Sequence, residues 1–73
     1  PVTNITIQLP RSGFVKLSVF DVTGKEVAVP VNEGMNAGTY RIDFDASGLP
    51  SGVYFYRLQT EGFTATKRMI LLK

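Results

Sequence analysis

Apolar and polar residues alternate with a period of two along most of the chain, the pattern of half-buried β-strands. In residues 3–9, Ile5, Ile7 and Leu9 share one face while Asn4, Thr6 and Gln8 share the other. Residues 14–20 place Val15, Leu17 and Val19 on one face; Lys16 and Ser18 share the opposite face with Phe14 and Phe20. Residues 25–31 put Val27, Val29 and Val31 inward. Pro30 has no N–H to give to a ladder, which assigns this strand to a sheet edge. Residues 39–45 alternate Tyr40, Ile42 and Phe44 with Arg41, Asp43 and Asp45. Residues 53–60 set Tyr54, Tyr56 and Leu58 against Val53, Phe55, Arg57 and Gln59. The last strand, residues 63–72, carries similar apolarity on both faces, and we assign Ile70 and Leu72 to the core.

Turn chemistry separates these runs. Residues 10–13 (P-R-S-G) and the Glu61-Gly62 pair each read as turns. Asp21 and Gly24 occupy the first and fourth positions of D-V-T-G, where Asp supplies an Asx hydrogen bond and Gly suits a type I turn. Residues 32–38 (N-E-G-M-N-A-G) read as a loop with two glycines, and residues 46–52 (A-S-G-L-P-S-G) as the densest turn segment. Apolar residues recur nowhere with helical spacing. Six strands, or seven if residues 32–38 add a short one, form an all-β fold: a small antiparallel Greek-key β-sandwich. Within L-P-S-G-V-Y, Leu49 plugs the end of the core, Pro50 sets the turn and Gly52 permits the bend. Tyr54, just inside the next strand, is placed to return its hydroxyl to a backbone group upstream, as a tyrosine corner does.

Composition narrows the function. With 73 residues the chain is one domain, and surface scaling gives a folded area of about 4,500 Å², enough for one thin core and no deep pocket. It has no Cys and no His, so it lacks a disulfide, a thiol nucleophile, a histidine-based triad and the usual zinc, copper and haem ligands. Catalysis is therefore not expected, and neither is a cofactor. Asp43 and Asp45 share a strand face, but two carboxylates supply too few oxygens for calcium and no D-x-D-x-D-G loop is present. No apolar run approaches a membrane span. The net charge of +2 comes from cations spread along the chain, with only Lys67 and Arg68 adjacent, so nucleic-acid binding is not expected.

Five blocks in order carry a resemblance: P-V-T-N-I-T-I-Q-L-P, V-K-L-S-V-F-D-V-T-G-K-E-V, A-G-T-Y-R-I-D-F-D, L-P-S-G-V-Y-F-Y-R-L and T-K-R-M-I-L-L-K. Together they resemble the type A C-terminal sorting domain of the type IX (Por) secretion system of Bacteroidetes. The resemblance covers almost the whole chain. It implies an Ig-like β-sandwich at the end of a secreted cargo protein, carried from the periplasm through an outer-membrane translocon. It further implies removal by a sortase-like C-terminal signal peptidase, and a mature cargo that is released or held at the cell surface. Gly52 and Tyr54 match the family's G-x-Y element, and Lys67 its basic residue in the last strand. Met69, Ile70, Leu71, Leu72 and Lys73 match the apolar-then-basic ending, and Asp21, Gly24 and Lys25 the first hairpin turn. Pro1 falls inside or just after the family's Y-P-N-P lead-in, so no cleavage residue is assigned and the chain is expected to be one piece of a longer secreted protein.

A sorting signal has to display a surface. Phe20 and Phe55 lie opposite the core rows, and either gather into an exposed patch or pack beneath the stems of Lys16 and Arg57. The terminal strand with Lys67 and Lys73 offers a sheet edge that a partner strand can extend, or one whose charges guard against aggregation. The expected recognition set is Gly52, Tyr54, Phe55, Lys67, Met69, Leu71 and Lys73. The turns Asp21, Gly24, Leu49, Pro50 and Gly52 determine the fold. The expected partners are the translocon, the signal peptidase and an N-terminal cargo domain, with homodimerisation through an edge strand as a further option. The alternative function is an Ig-like accessory module, either glycan-binding or a structural spacer.

Overall fold

The computed structural model describes residues 2–72, which form six strands: β1 (Val2–Leu9), β2 (Gly13–Phe20), β3 (Glu26–Met35), β4 (Gly38–Asp45), β5 (Gly52–Thr60) and β6 (Phe63–Leu71). A two-stranded sheet, β1-β4, faces a four-stranded sheet in the order β3-β2-β5-β6, and every pairing is antiparallel. The chain crosses between sheets after β1, β3 and β4, which makes the connectivity a Greek key. The accessible area is 4715 Å², close to the value that size alone predicts.

The alternating rows become the core. Ile5, Ile7 and Leu9 of β1 and Phe44 of β4 are buried against Val15, Leu17 and Val19 of β2, Val31 of β3, and Tyr54 and Leu58 of β5. Burying each such aliphatic side chain contributes about 1.5–3 kcal/mol relative to exposure. Tyr40, Ile42, Leu49 and Tyr56 pack at the margin of this cluster. The Leu49 amide donates to the carbonyl of the buried Ala46 at 3.0 Å.

Three sequence expectations are corrected. Residues 32–35 continue β3 instead of starting a loop, because Gly13 to Lys16 of β2 pair with Met35 to Asn32. Val29 does not face inward; it is exposed. Leu17 pairs with Val31 but Val19 pairs with Ala28, so a bulge around Val29 and Pro30 shifts the alternation. Pro30 does sit on an edge strand as expected. In β6 the parity is reversed. Leu71 is buried and Met69 packs against the core, whereas Ile70 and Leu72 are 59% and 82% exposed. The cause lies in the two-residue turn at Glu61-Gly62. It pairs Thr60 with Phe63, hence Leu58 with Ala65 and Tyr54 with Met69, and cross-strand partners share a face.

The crossovers into β4 and β5 use the same device. Gly38 and Gly52 open these strands with φ of 150° and 153°, a backbone region that favours glycine. Two residues later a tyrosine turns its hydroxyl back four residues. Tyr40 donates to the Asn36 carbonyl at 2.7 Å and Tyr54 to the Pro50 carbonyl at 2.8 Å. The tyrosine corner read at Tyr54 is present, and G-T-Y at residues 38–40 repeats it.

Candidate recognition surface

The outer face of the large sheet carries a short aromatic and basic row. Phe20 of β2 pairs with Phe55 of β5, and Phe55 pairs with Arg68 of β6, so the three side chains share a face. Arg57 lies across this row, with its guanidinium carbon 4.6 Å from the centre of the Phe20 ring. A cation held over an aromatic face gains from the ring quadrupole. Both phenylalanines are half-buried, and Phe20 lies beneath Arg57 instead of in a bare aromatic patch. The long side chains also explain why Ser18, opposite Arg57 on this outer face, is fully shielded from water. A hollow of about 370 Å³ remains beside them, bordered by the exposed Val22 and the Asp21–Gly24 turn. On the same face of β2, Lys16 forms a 3.9 Å ion pair with Glu26.

The second feature is β6 itself. It forms one edge of the large sheet, with β3 at the other. Lys67 is exposed although it lies on the inward row, opposite Tyr56. Met69 and Leu71 on that row are core residues, and Ile70 and Leu72 project apolar surface to solvent beside the basic Lys67-Arg68 pair. Lys73 lies outside the described residues. Gly52 pairs with Leu71 at the start of β5, and Tyr54 is 5% exposed with its hydroxyl bonded to Pro50. Of the residues assigned to recognition from sequence, Phe55 and Lys67 therefore present accessible side chains. Gly52, Tyr54, Met69 and Leu71 shape the strands that carry them.

The first hairpin turn is closed by hydrogen bonds to Asp21. Asp21 Oδ1 accepts from the Thr23 hydroxyl at 2.6 Å, the Thr23 amide at 2.9 Å and the Lys25 amide at 3.1 Å. The Gly24 amide closes the turn onto the Asp21 carbonyl at 3.1 Å, with Gly24 at φ 86°. These donors, chiefly the Thr23 hydroxyl, hold the Asp21 carboxyl below its ordinary value of 3.8.

On the outer face of the small sheet, Asp43 sits 3.8 Å from Arg41 Nε. With its amide oriented to satisfy both neighbours, Asn4 donates to Asp43 and accepts from Arg41 Nη2 at 3.0 Å. Asp45 accepts from the Ser47 amide at 3.0 Å. Both carboxylates thus serve local structure.

Sequence reasoning left open whether Phe20 packs beneath Arg57 or stands in an exposed patch, since the two residues are remote in sequence, and the structure sets Arg57 over the ring. It missed the second corner at Tyr40, which the repeated G-x-Y spacing signals. A family model described as the secretion system C-terminal sorting domain matches residues 1–72. Neither curated proteins nor solved structures give a match.

Proposed function

The chain belongs to the secretion system C-terminal sorting domain family, and from that premise we propose that it directs a cargo protein through the type IX outer-membrane translocon to the cell surface or the medium. The family match across residues 1–72 carries this reading. As a C-terminal sorting signal, the domain works within a cargo chain and marks it for export from the cell. In our reading it performs no chemistry of its own. The translocon reads the folded sandwich at β6 and the adjoining outer face, through Phe55, Lys67, Arg68, Ile70 and Leu72. Lys73 extends the same basic-apolar ending. Gly52, Tyr54, Met69 and Leu71 contribute by fixing β5 and β6 in register. The signal peptidase then cuts upstream of the domain and frees the cargo. The glycan-binding alternative gains no support, since Arg57 covers the Phe20 ring and Tyr54 is buried.

The test is a periplasm-directed reporter fused to this chain in a bacterium with a type IX system. The intact fusion reaches the surface or medium. A fusion lacking residues 52–73 stays in the periplasm, and so does an Ile70→Asp/Leu72→Asp fusion whose fold, checked by circular dichroism, is intact. Export of the truncated fusion at the normal rate overturns the proposal.

A further inference from the structure

Two stacked sheets expose four edges, and a bare edge is a template for another strand. Three edges of this sandwich are guarded. β3 carries Pro30 and a bulge, β4 carries Arg41, Asp43 and Asp45, and β6 carries Lys67 and Arg68. β1 is different. Its sequence V-T-N-I-T-I-Q-L has no charge, proline or glycine, and it pairs with β4 over eight unbroken register positions. On its other side it pairs with nothing among the described residues.

The space beside that edge is shaped to receive side chains. A two-stranded sheet cannot cover a four-stranded one, and the shortfall opens a groove of about 310 Å³ between β1 and β6. Ile7, Tyr56, Leu58, Phe63 and Ala65 contribute its apolar wall, and Lys67 contributes a cation. The exposure of the inward row of β6 follows from this opening: Phe63 is 41% exposed and Lys67 is open to water although both point toward the small sheet. A strand added to β1 would lie about 4.8 Å farther out, over this groove, with alternate side chains entering it.

We propose that β1 is a docking edge for an extended strand of a partner protein, with apolar residues entering the groove and a carboxylate meeting Lys67. A second copy of the chain fits poorly. Its own β1 row, Ile5, Ile7 and Leu9, is already buried in its own core, and β1 has no acid to offer Lys67. The proposal stands on edge geometry and charge, not on the export reading, and failure of either leaves the other intact.

The probe is a blocked ten-residue peptide alternating Thr with Val, one Val replaced by Glu, together with a counterpart carrying Lys there. Titrated into the isotopically labelled domain, the Glu peptide slows exchange of β1 amides and shifts the signals of Ala65 and Lys67. It binds about fivefold more tightly than the Lys peptide, as an exposed ion pair allows. Lys67→Glu reverses the preference. Thr6→Lys, at an exposed position opposite Arg41, abolishes binding while the fold is retained, since the like-charge pair lowers the melting temperature by about 8 °C at most. Four outcomes overturn the proposal: equal affinity for the two peptides; slowed exchange of the β3 or β6 amides with the β1 amides unchanged; a concentration-dependent dimer that Thr6→Lys dissolves; or β1 amides already protected in a longer cargo-bearing chain.

Discussion

The two tyrosine corners allow a controlled measurement of what one hydrogen bond contributes at a sheet crossover. Tyr54→Phe removes a single hydroxyl from a side chain that is 5% exposed, leaving the ring to fill the same space. The lost bond runs 2.8 Å to the Pro50 carbonyl in a partly buried setting. Pro50 is exposed, so its carbonyl regains water in the variant, and the cost is the net value of one hydrogen bond, about 1 kcal/mol. For a domain of this size 1 kcal/mol lowers the melting temperature by about 4–8 °C. Tyr40→Phe removes a bond of similar length, 2.7 Å to the Asn36 carbonyl, but at an exposed site where water competes. Its expected cost is about 0.5 kcal/mol or less. Urea denaturation of both variants, with the slope m held common, reads the difference as a shift in midpoint. An equal or larger loss for Tyr40→Phe would refute the claim that burial of the Tyr54 corner sets its value. Unchanged stability of Tyr54→Phe would refute the corner as a stabilising device.

Two further outcomes test the register and the first turn. Leu71→Ala empties a buried site and costs about 2–5 kcal/mol, a large part of the whole stability of so small a domain, whereas Ile70→Thr on the open face changes stability by about 0.5 kcal/mol at most; thermal melts in which Ile70→Thr is the more damaging change would reverse the parity assigned to β6. Asp21 has its carboxyl lowered by the Thr23 hydroxyl and two amides, so its contribution is complete above its ordinary value of 3.8 and fades as the pH falls through its folded value. Asp21→Asn should lower stability at neutral pH and flatten the acid limb of the stability profile, measured by urea titration at stepped pH. An unaltered acid limb would place that pH dependence elsewhere.

How much of this was legible depends on where the information resides. The rows Ile5-Ile7-Leu9 and Val15-Leu17-Val19 were readable because each lies on a strand with one apolar and one more polar face. The Asp21 turn and the Tyr54 corner were readable because their partners lie within four residues. The β6 face was misread although a signal existed: the Glu61-Gly62 turn fixes the pairing of Tyr54 with Met69, and a known inward face on β5 then dictates the face of β6. The outward turn of Val29 had no such signal. Pro30 announces an edge, but which residue absorbs a bulge depends on the neighbouring strand.

The chain by itself determined six strands, the inward rows of β1, β2, β4 and β5, the tight turns at Asp21 and Glu61-Gly62, and the family to which they belong. These follow from local sterics and from a side-chain period of two, both carried by consecutive residues. Tertiary structure decided three other matters: that Arg57 covers Phe20, that Ser18 is buried on an outer face, and that β1 keeps a free, uncharged edge beside an apolar groove. The last holds among the described residues, and each depends on which strands become neighbours and on how far a two-stranded sheet reaches across a four-stranded one. No stretch of sequence contains that information until the sheets have packed.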